Sequence, residues 1–359
     1  MMTGFDFSII FDQSGGPYTP GQLVTGKVRM FFNSAKPVTK IKIKFEGRAD
    51  VEWSEDKEIG NQSSSTRIQS DEQYFKSKLI LYERLGDFKL SQGDHVYPFG
   101  VLLPKNIPSS FAGSYGKITY FAIAKIEISG HLDKTRKEFF FVKNFLNLNC
   151  FPRLKAPVEE QKFKKFYAMC CFPCGELRMC ACVPRSGFVS NETIPLILEI
   201  NNDSSVPLRK ITAYVVQKVE WRAGSDRNHS KDVLKTFTLG SAKANSSATI
   251  VESVPVPEKD YPYLENCHII ILKYELWIEA DPGAGHCDLD LSIPISIGDI
   301  AFIQDEPSHG DDHFLLSLDK DDAEISEFEF DETNKQEVYA TYKPSDSKPV
   351  EIFTSHKKY

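Results

Sequence analysis

Between Lys40 and Phe45 polar and apolar residues alternate without a break, Lys40, Lys42 and Lys44 on one face and Ile41, Ile43 and Phe45 on the other. A period of two is the mark of a half-buried antiparallel strand. Further strand-like runs lie at 5–11, 22–33, 73–83, 118–128, 137–143, 190–201, 206–221, 231–239, 247–254, 267–279 and 289–297. Turn signals separate them, among them Gly15-Gly16-Pro17, Gly86-Asp87, Asn201-Asn202-Asp203 and Pro282-Gly283. No amphipathic helix longer than about two turns stands out. Many short strands at regular spacing predict an all-β chain of the sandwich type.

The strands repeat. Residues 38–53 and 206–221 have equal length, align without gaps at an offset of 168 and both end in Val-Glu-Trp. Ile43 falls on Ile211, Val51 on Val219 and Trp53 on Trp221, while Val28, Met30, Phe32 and Asn33 fall on Leu196, Leu198, Ile200 and Asn201. Leu103-Pro104 through Pro108 echoes Val256-Pro257 through Pro262, each ahead of an apolar strand. Self-similarity of this length predicts two copies of one domain. The expected division is a first sandwich at 5–148, a linker at 149–165, a second sandwich at 166–299 and an acidic tail at 300–359.

Charge sharpens the picture at the C-terminus. After residue 304 there are 15 acidic residues against 6 lysines, leaving 37 basic and 35 acidic residues in the body. The tail is polar and poor in β-branched runs, so it reads as largely disordered or conditionally ordered. An acidic tail on a near-neutral body argues against nucleic acid as the partner. The N-terminus lacks a basic region followed by an apolar run, so no secretion signal is expected. The 8 cysteines are then expected in a reducing compartment, where structural disulfides are a poor default.

Several local signatures resemble the arrestin fold, and specifically the α-arrestins, the arrestin domain-containing proteins. They are Gly26-x-Val28, the run Phe45-x-Gly47-x-Ala49-x-Val51-x-Trp53, Gly93-x-His95-x-x-Pro98-Phe99, Leu103-Pro104 with Pro108-x-Ser110-Phe111, and Tyr115-Gly116-Lys117-Ile118-x-Tyr120. The second copy adds Arg185-x-Gly187-Phe188-x-x-x-Glu192, Asn201-Asn202 and Pro294-Ile295-x-Ile297-Gly298. The resemblance implies two tandem arrestin-type, immunoglobulin-like β-sandwiches. It also implies a non-catalytic adaptor that binds cytoplasmic segments of membrane-protein cargo and links them to endocytic, ubiquitin-dependent sorting and protein transport. The implied location is cytoplasmic, with recruitment to plasma membrane or endosomes. Tails of this family use Pro-Pro-x-Tyr to dock HECT-type ubiquitin ligases, and this sequence has no such motif. The buried charge network of phosphate-sensing arrestins has no residue-by-residue counterpart here, Arg153 and Asp281 lying only in the corresponding regions.

The tail offers a different handle. Leu315, Leu316, Leu318 and Asp319 fit a clathrin-box pattern, in which alternate leucines of an extended peptide enter a groove while the acid meets a basic rim. Clathrin or a coat adaptor is the implied partner, docking of the leucines onto the body the alternative. Phe328 and Phe330, alternating with glutamates, are candidate latch residues against Lys40, Lys42, Lys44 and Arg48 or a similar face. Cys171, Cys174, Cys180 and Cys182 have the count for a four-thiolate zinc site or a reactive thiol cluster, with buried packing of small hydrophobes as the competing reading. Cys170 and Cys171, beside basic and aromatic residues, also suit S-acylation. No Gly-x-Ser-x-Gly, His-Glu-x-x-His or phosphate-binding loop occurs. Binding is therefore expected, not catalysis, and no cofactor is expected beyond the zinc alternative. Two other functions fit the same family: a thiol-dependent regulator of a thioredoxin-like partner, and a retromer-like structural subunit.

Overall fold

The computed structural model describes residues 5–303 apart from 14, 60–61, 169–171 and 284. Eight strands form the first sandwich: β1 (Phe5–Phe11), β2 (Leu23–Phe32), β3 (Val38–Ile59), β4 (Gln62–Glu83), β5 (Gly93–Leu102), β6 (Phe111–Gly113), β7 (Gly116–Ile128) and β8 (Lys134–Phe140). One sheet runs β1-β2-β5; the other runs β4-β3-β7, with β6 and β8 both pairing β7. Nine strands form the second: β9 (Val158–Ala168), β10 (Phe172–Val183), β11 (Gly187–Val189), β12 (Thr193–Asn202), β13 (Leu208–Ala223), β14 (Asp226–Ala242), β15 (Ser246–Pro255), β16 (Ile270–Asp281) and β17 (Leu289–Gly298). Its sheets run β15-β12-β10-β9 and β11-β17-β16-β13-β14.

The duplication read from the sequence is a duplication of topology. In each copy the strand carrying the repeated alternation lies between two partners, β2 between β1 and β5, β12 between β10 and β15. The partner strand β3 lies between β4 and β7, and β13 between β14 and β16. The paired positions are buried in both copies: Val28, Met30 and Phe32 with Leu196, Leu198 and Ile200, and Ile43 with Ile211. The Lys40–Phe45 alternation also holds, with Ile41, Ile43 and Phe45 buried. The three lysines stand on the opposite face, already neutralised by carboxylates: Lys40 by Glu83 at 2.7 Å, Lys42 by Glu127 at 2.5 Å, and Lys44 by Glu46. Arg48 is likewise held by Asp50. The face read as a latch for the tail aromatics is thus a set of closed ion pairs, not a bare basic stripe.

Several strands went unrecognised in the sequence, β5 and β9 among them. Strand β5 carries Gly93, Pro98 and Gly100, which read as breakers, but it pairs only β2, and an edge strand tolerates a residue without an N–H. Strand β9 overturns the linker assignment, because residues 158–165 pair β10 in continuous register. Its Glu/Gln/Lys composition hid it, since Phe166 alone among its described side chains is fully buried. The chain between the sandwiches shrinks to two short 3₁₀ turns, Leu148–Cys150 and Pro152–Lys155.

Candidate functional site at the junction of the two sandwiches

The repeat predicts that Trp221 plays in the second sandwich the part Trp53 plays in the first. It does not. The last turns of β13 run beyond their own sandwich, and Val219, Trp221 and Ala223 are buried in the core of the first, together with Leu264, Cys267 and Ile270. Trp221 stacks on Phe111 at a centroid distance of 6.1 Å and an interplanar angle of 27°, and meets Tyr115 edge-on, also at 6.1 Å. Its Nε1 donates to Ser230 Oγ at 3.1 Å. Close approach of the indole dictates glycine on the facing turn. A Cβ on Gly113 would come within 2.5 Å of the ring, and one on Gly116 within 3.0 Å. Aromatic pairing of this kind adds about 0.5–1.5 kcal/mol to the burial itself.

Polar groups flank the indole. Glu72 on β4 accepts from the His268 backbone N–H at 2.8 Å and meets its Nδ1 at 2.6 Å. Beneath them Cys267 is buried against Tyr74, and burial pushes both the thiol and the phenol up. On another side of the junction Ser109 acts as a hub. Its Oγ accepts from Asn144 N at 3.0 Å and from Tyr263 N at 3.3 Å, and donates to Asn144 O at 3.2 Å. Beyond it Lys143 bridges Asp260 and Asp299, the latter at 2.8 Å. Asp299 Oδ2 also accepts from Leu146 N at 3.0 Å. Burial opposes the Lys143 charge, but the two carboxylates outweigh it and hold its pKa above the ordinary lysine value.

Next to Lys143 a cleft of about 630 Å³ opens between β1 and β8. Among the described residues each of these strands pairs on one side only, β1 with β2 and β8 with β7, while the continuation of β8 at 141–143 is bridged to Tyr18. Ile10, Phe139 and Phe141 stand exposed along it. Unpaired backbone edges beside apolar side chains suit an extended peptide, whose main chain would extend a sheet while alternate side chains enter pockets.

The sequence carries two arrestin family domains in order: the arrestin (or S-antigen) N-terminal domain matches residues 7–149 and the arrestin C-terminal domain residues 174–302. The chain belongs to the arrestin family, among the arrestin domain-containing proteins. It is 26% identical over 301 residues to human arrestin domain-containing protein 1, covering 82% of this chain but only 64% of that protein. It is also 26% identical over 310 residues to arrestin domain-containing protein 17 of Caenorhabditis elegans, covering 82% and 70% of the two chains. Human arrestin domain-containing protein 4 is 26% identical over 298 residues, covering 81% and 70%.

In this arrestin domain-containing chain the cysteine cluster comes apart. Cys174, Cys180 and Cys182 all lie on β10, and six residues of extended strand separate the first two by roughly 20 Å. One ion cannot join them, and among the described residues no group of three or more His, Cys, Asp or Glu is placed to hold a metal. Cys180 donates to Glu159 Oε1 at 3.1 Å, and burial together with that carboxylate pushes its pKa up to about 11. A thiol held neutral is the opposite of a reactive one. Cys171 lies outside the described residues, as do Leu315, Leu316, Leu318, Asp319, Phe328 and Phe330. Arg153 sits in a 3₁₀ turn and Asp281 caps Gly283 N at 2.5 Å, so neither joins the junction ion cluster. Sequence reasoning missed Lys143, Asp260 and Asp299, which are far apart in the chain and carry no motif. The repeated Val-Glu-Trp was the one signal that pointed at Trp221. Among the described residues no helix is long and apolar enough to cross a membrane.

Proposed function

We propose that this chain is a non-catalytic adaptor that captures an extended cytoplasmic segment of membrane-protein cargo in the β1–β8 cleft and links it to endocytic, ubiquitin-dependent sorting. The observation that carries the reading is the cleft itself: the edges of β1 and β8, each paired on one side only among the described residues, exposed Ile10, Phe139 and Phe141, and the Lys143–Asp260–Asp299 cluster at its end. Family membership supports the adaptor role, with the cytoplasm as its place of action and plasma membrane or endosomes as the site of recruitment. These 359 residues hold no Pro-Pro-x-Tyr, so within them a HECT-type ligase would be reached through another surface.

Leu315, Leu316, Leu318 and Asp319 supply the coat-directed end, by the pattern of their side chains. Two measurements with the full chain test the reading. Photo-crosslinking from position 139 in a membrane fraction should capture cytoplasmic segments of integral proteins, and Phe139→Asp with Phe141→Asp should abolish capture made from a neighbouring position. Capture of none, or undiminished capture by the double variant, sinks the cargo assignment. Binding to the clathrin terminal domain should disappear when Leu315, Leu316 and Leu318 become alanine, and no binding by the unaltered chain would remove clathrin from the proposal.

A further inference from the structure

The end of the first sandwich farthest from the junction carries the two most exposed leucines among the described residues. At this end Val38 pairs Ile128 and Lys40 pairs Glu83, while at the other Val51 pairs Gly116, which faces Trp221. Three loops are tied together here. Arg84 N donates to Thr39 O, Leu90 and Lys36 exchange both backbone hydrogen bonds, and Ser129 N donates to Pro37 O, all at 2.9 Å. The β4–β5 and β7–β8 loops therefore flank the β2–β3 loop, two strand spacings or about 10 Å apart. Each flanking loop turns on a left-handed glycine, Gly86 at φ 74° and Gly130 at φ 72°, with open space where a Cβ would be. Out of these turns stand Leu85, 90% exposed, Phe88, 67%, and Leu132, 87%. Side chains this exposed add nothing to the core, and a cluster of them marks a contact surface. The charge around them is one-sided. Among the described residues Lys36, Arg84, Lys89 and Lys134 take part in no ion pair, because the neighbouring Glu83 and Asp133 are held by Lys40 at 2.7 Å and Lys125 at 2.5 Å. Within the three loops Asp87 alone opposes them. Lys36, Leu132 and Lys134 line one hollow of about 650 Å³, so cations and apolar side chain share a single surface.

We propose that this tip docks on an anionic lipid surface, with Leu85, Phe88 and Leu132 entering the boundary between headgroups and acyl chains and the four cations lying against the headgroups. Apolar side chains ringed by lysine and arginine match both layers of such a surface. The three side chains project from separate turns, a convex arrangement that a fluid lipid layer accommodates and an extended peptide does not. A second copy of this chain fits worse, since it would bring the four unpaired cations face to face. Tip and β1–β8 cleft share no residue, so the proposal does not rest on the cleft. It is compatible with it: Phe139 lies about 17 Å along β8 from Lys134, within reach of a cytoplasmic segment leaving the membrane.

The test uses the full chain, a triple variant Leu85→Ser/Phe88→Ser/Leu132→Ser and a second triple variant Lys36→Gln/Lys89→Gln/Lys134→Gln. Val233→Ser/Val251→Ser, at exposed positions of the second sandwich, is the control. The probes are phosphatidylcholine vesicles, plain or containing phosphatidylserine, by sedimentation. The unaltered chain should bind the phosphatidylserine vesicles more tightly than the plain ones. Either tip variant should lose about tenfold or more in affinity, and the control should lose none. The serine variant should melt at the temperature of the unaltered chain, because the side chains it removes are exposed, so its loss of binding reads contact and not unfolding. Leu132→Trp gives a second readout. The emission it adds should be that of a solvent-exposed indole in the free protein, then shift to the blue on phosphatidylserine vesicles and be quenched by brominated acyl chains. The proposal is overturned if the unaltered chain does not bind phosphatidylserine vesicles or if the serine variant binds them equally well. It is also overturned if the added emission is already blue-shifted without vesicles, which would assign the tip to the acidic tail or to a second copy.

Discussion

Trp221 of the second sandwich lies on Phe111 of the first, ring planes 27° apart and centroids separated by 6.1 Å. A residue that the repeat assigns to one domain thus completes the core of the other. Trp221→Ala is expected to cost about 3–5 kcal/mol, the range for emptying a fully buried tryptophan site. Gly113→Ala should cost about 1–3 kcal/mol, since its new methyl meets the indole and forces it aside. Denaturant titration followed by circular dichroism measures both. An unchanged midpoint for Trp221→Ala would show that the indole does not hold the junction.

Ser109 makes a second, polar seam. Without its hydroxyl, the N–H groups of Asn144 and Tyr263 lose their shared acceptor. Ser109→Ala is expected to cost about 1–3 kcal/mol, the penalty for stranding buried donors. Amide exchange at Asn144 and Tyr263 should quicken together, and exchange at only one of them would mean that the seam is not a unit.

The Lys143 cluster makes a prediction with a definite sign. Removing the ammonium leaves Asp299, which is only 14% exposed, without its cation. Lys143→Met should therefore destabilise by about 1–3 kcal/mol, below the range for a fully buried pair because the cluster keeps some solvent. Since the folded pKa is raised, the contribution is complete below about pH 10, the ordinary lysine range, and is lost as pH climbs through the folded value. Stability profiles of the unaltered chain and the variant should run parallel from neutral pH to about 9 and converge above that. A gap that persisted into strong alkali would assign the effect to packing.

Thiol chemistry separates the cysteines. At neutral pH Cys150 and Cys287, both exposed, should alkylate well before Cys180, whose pKa stands at about 11. The Cys180 rate should rise about tenfold per pH unit until the pH nears that value. Rapid labelling of Cys180 at neutral pH, read by mass spectrometry, would revive the thiol-regulator reading.

Much of the fold was legible because alternation and burial are the same fact seen twice. Ile41, Ile43 and Phe45 had to turn inward once the lysines between them turned out, and the second copy repeated the pattern at Ile211. Charged edge strands were not legible. Strand β9 buries little, so nothing in its composition distinguishes it from a tether, and only its register with β10 makes it a strand. The site was legible least of all. Cysteine spacing suggested a cluster, but spacing along a chain says nothing of distance once the chain is extended.

By itself, then, the sequence determined the two-fold repeat, the all-β architecture and the faces that lie inside, because periodicity two and hydrophobic burial act locally and identically in each copy. Only the tertiary structure decided what lies between the copies. Trp53 and Trp221 are equivalent by sequence, yet both lie in the core of the first sandwich. Lys143, Asp260 and Asp299 became one ion cluster through domain packing. Those pairings join residues distant in the chain, and the free energy of such contacts leaves no periodic trace in sequence.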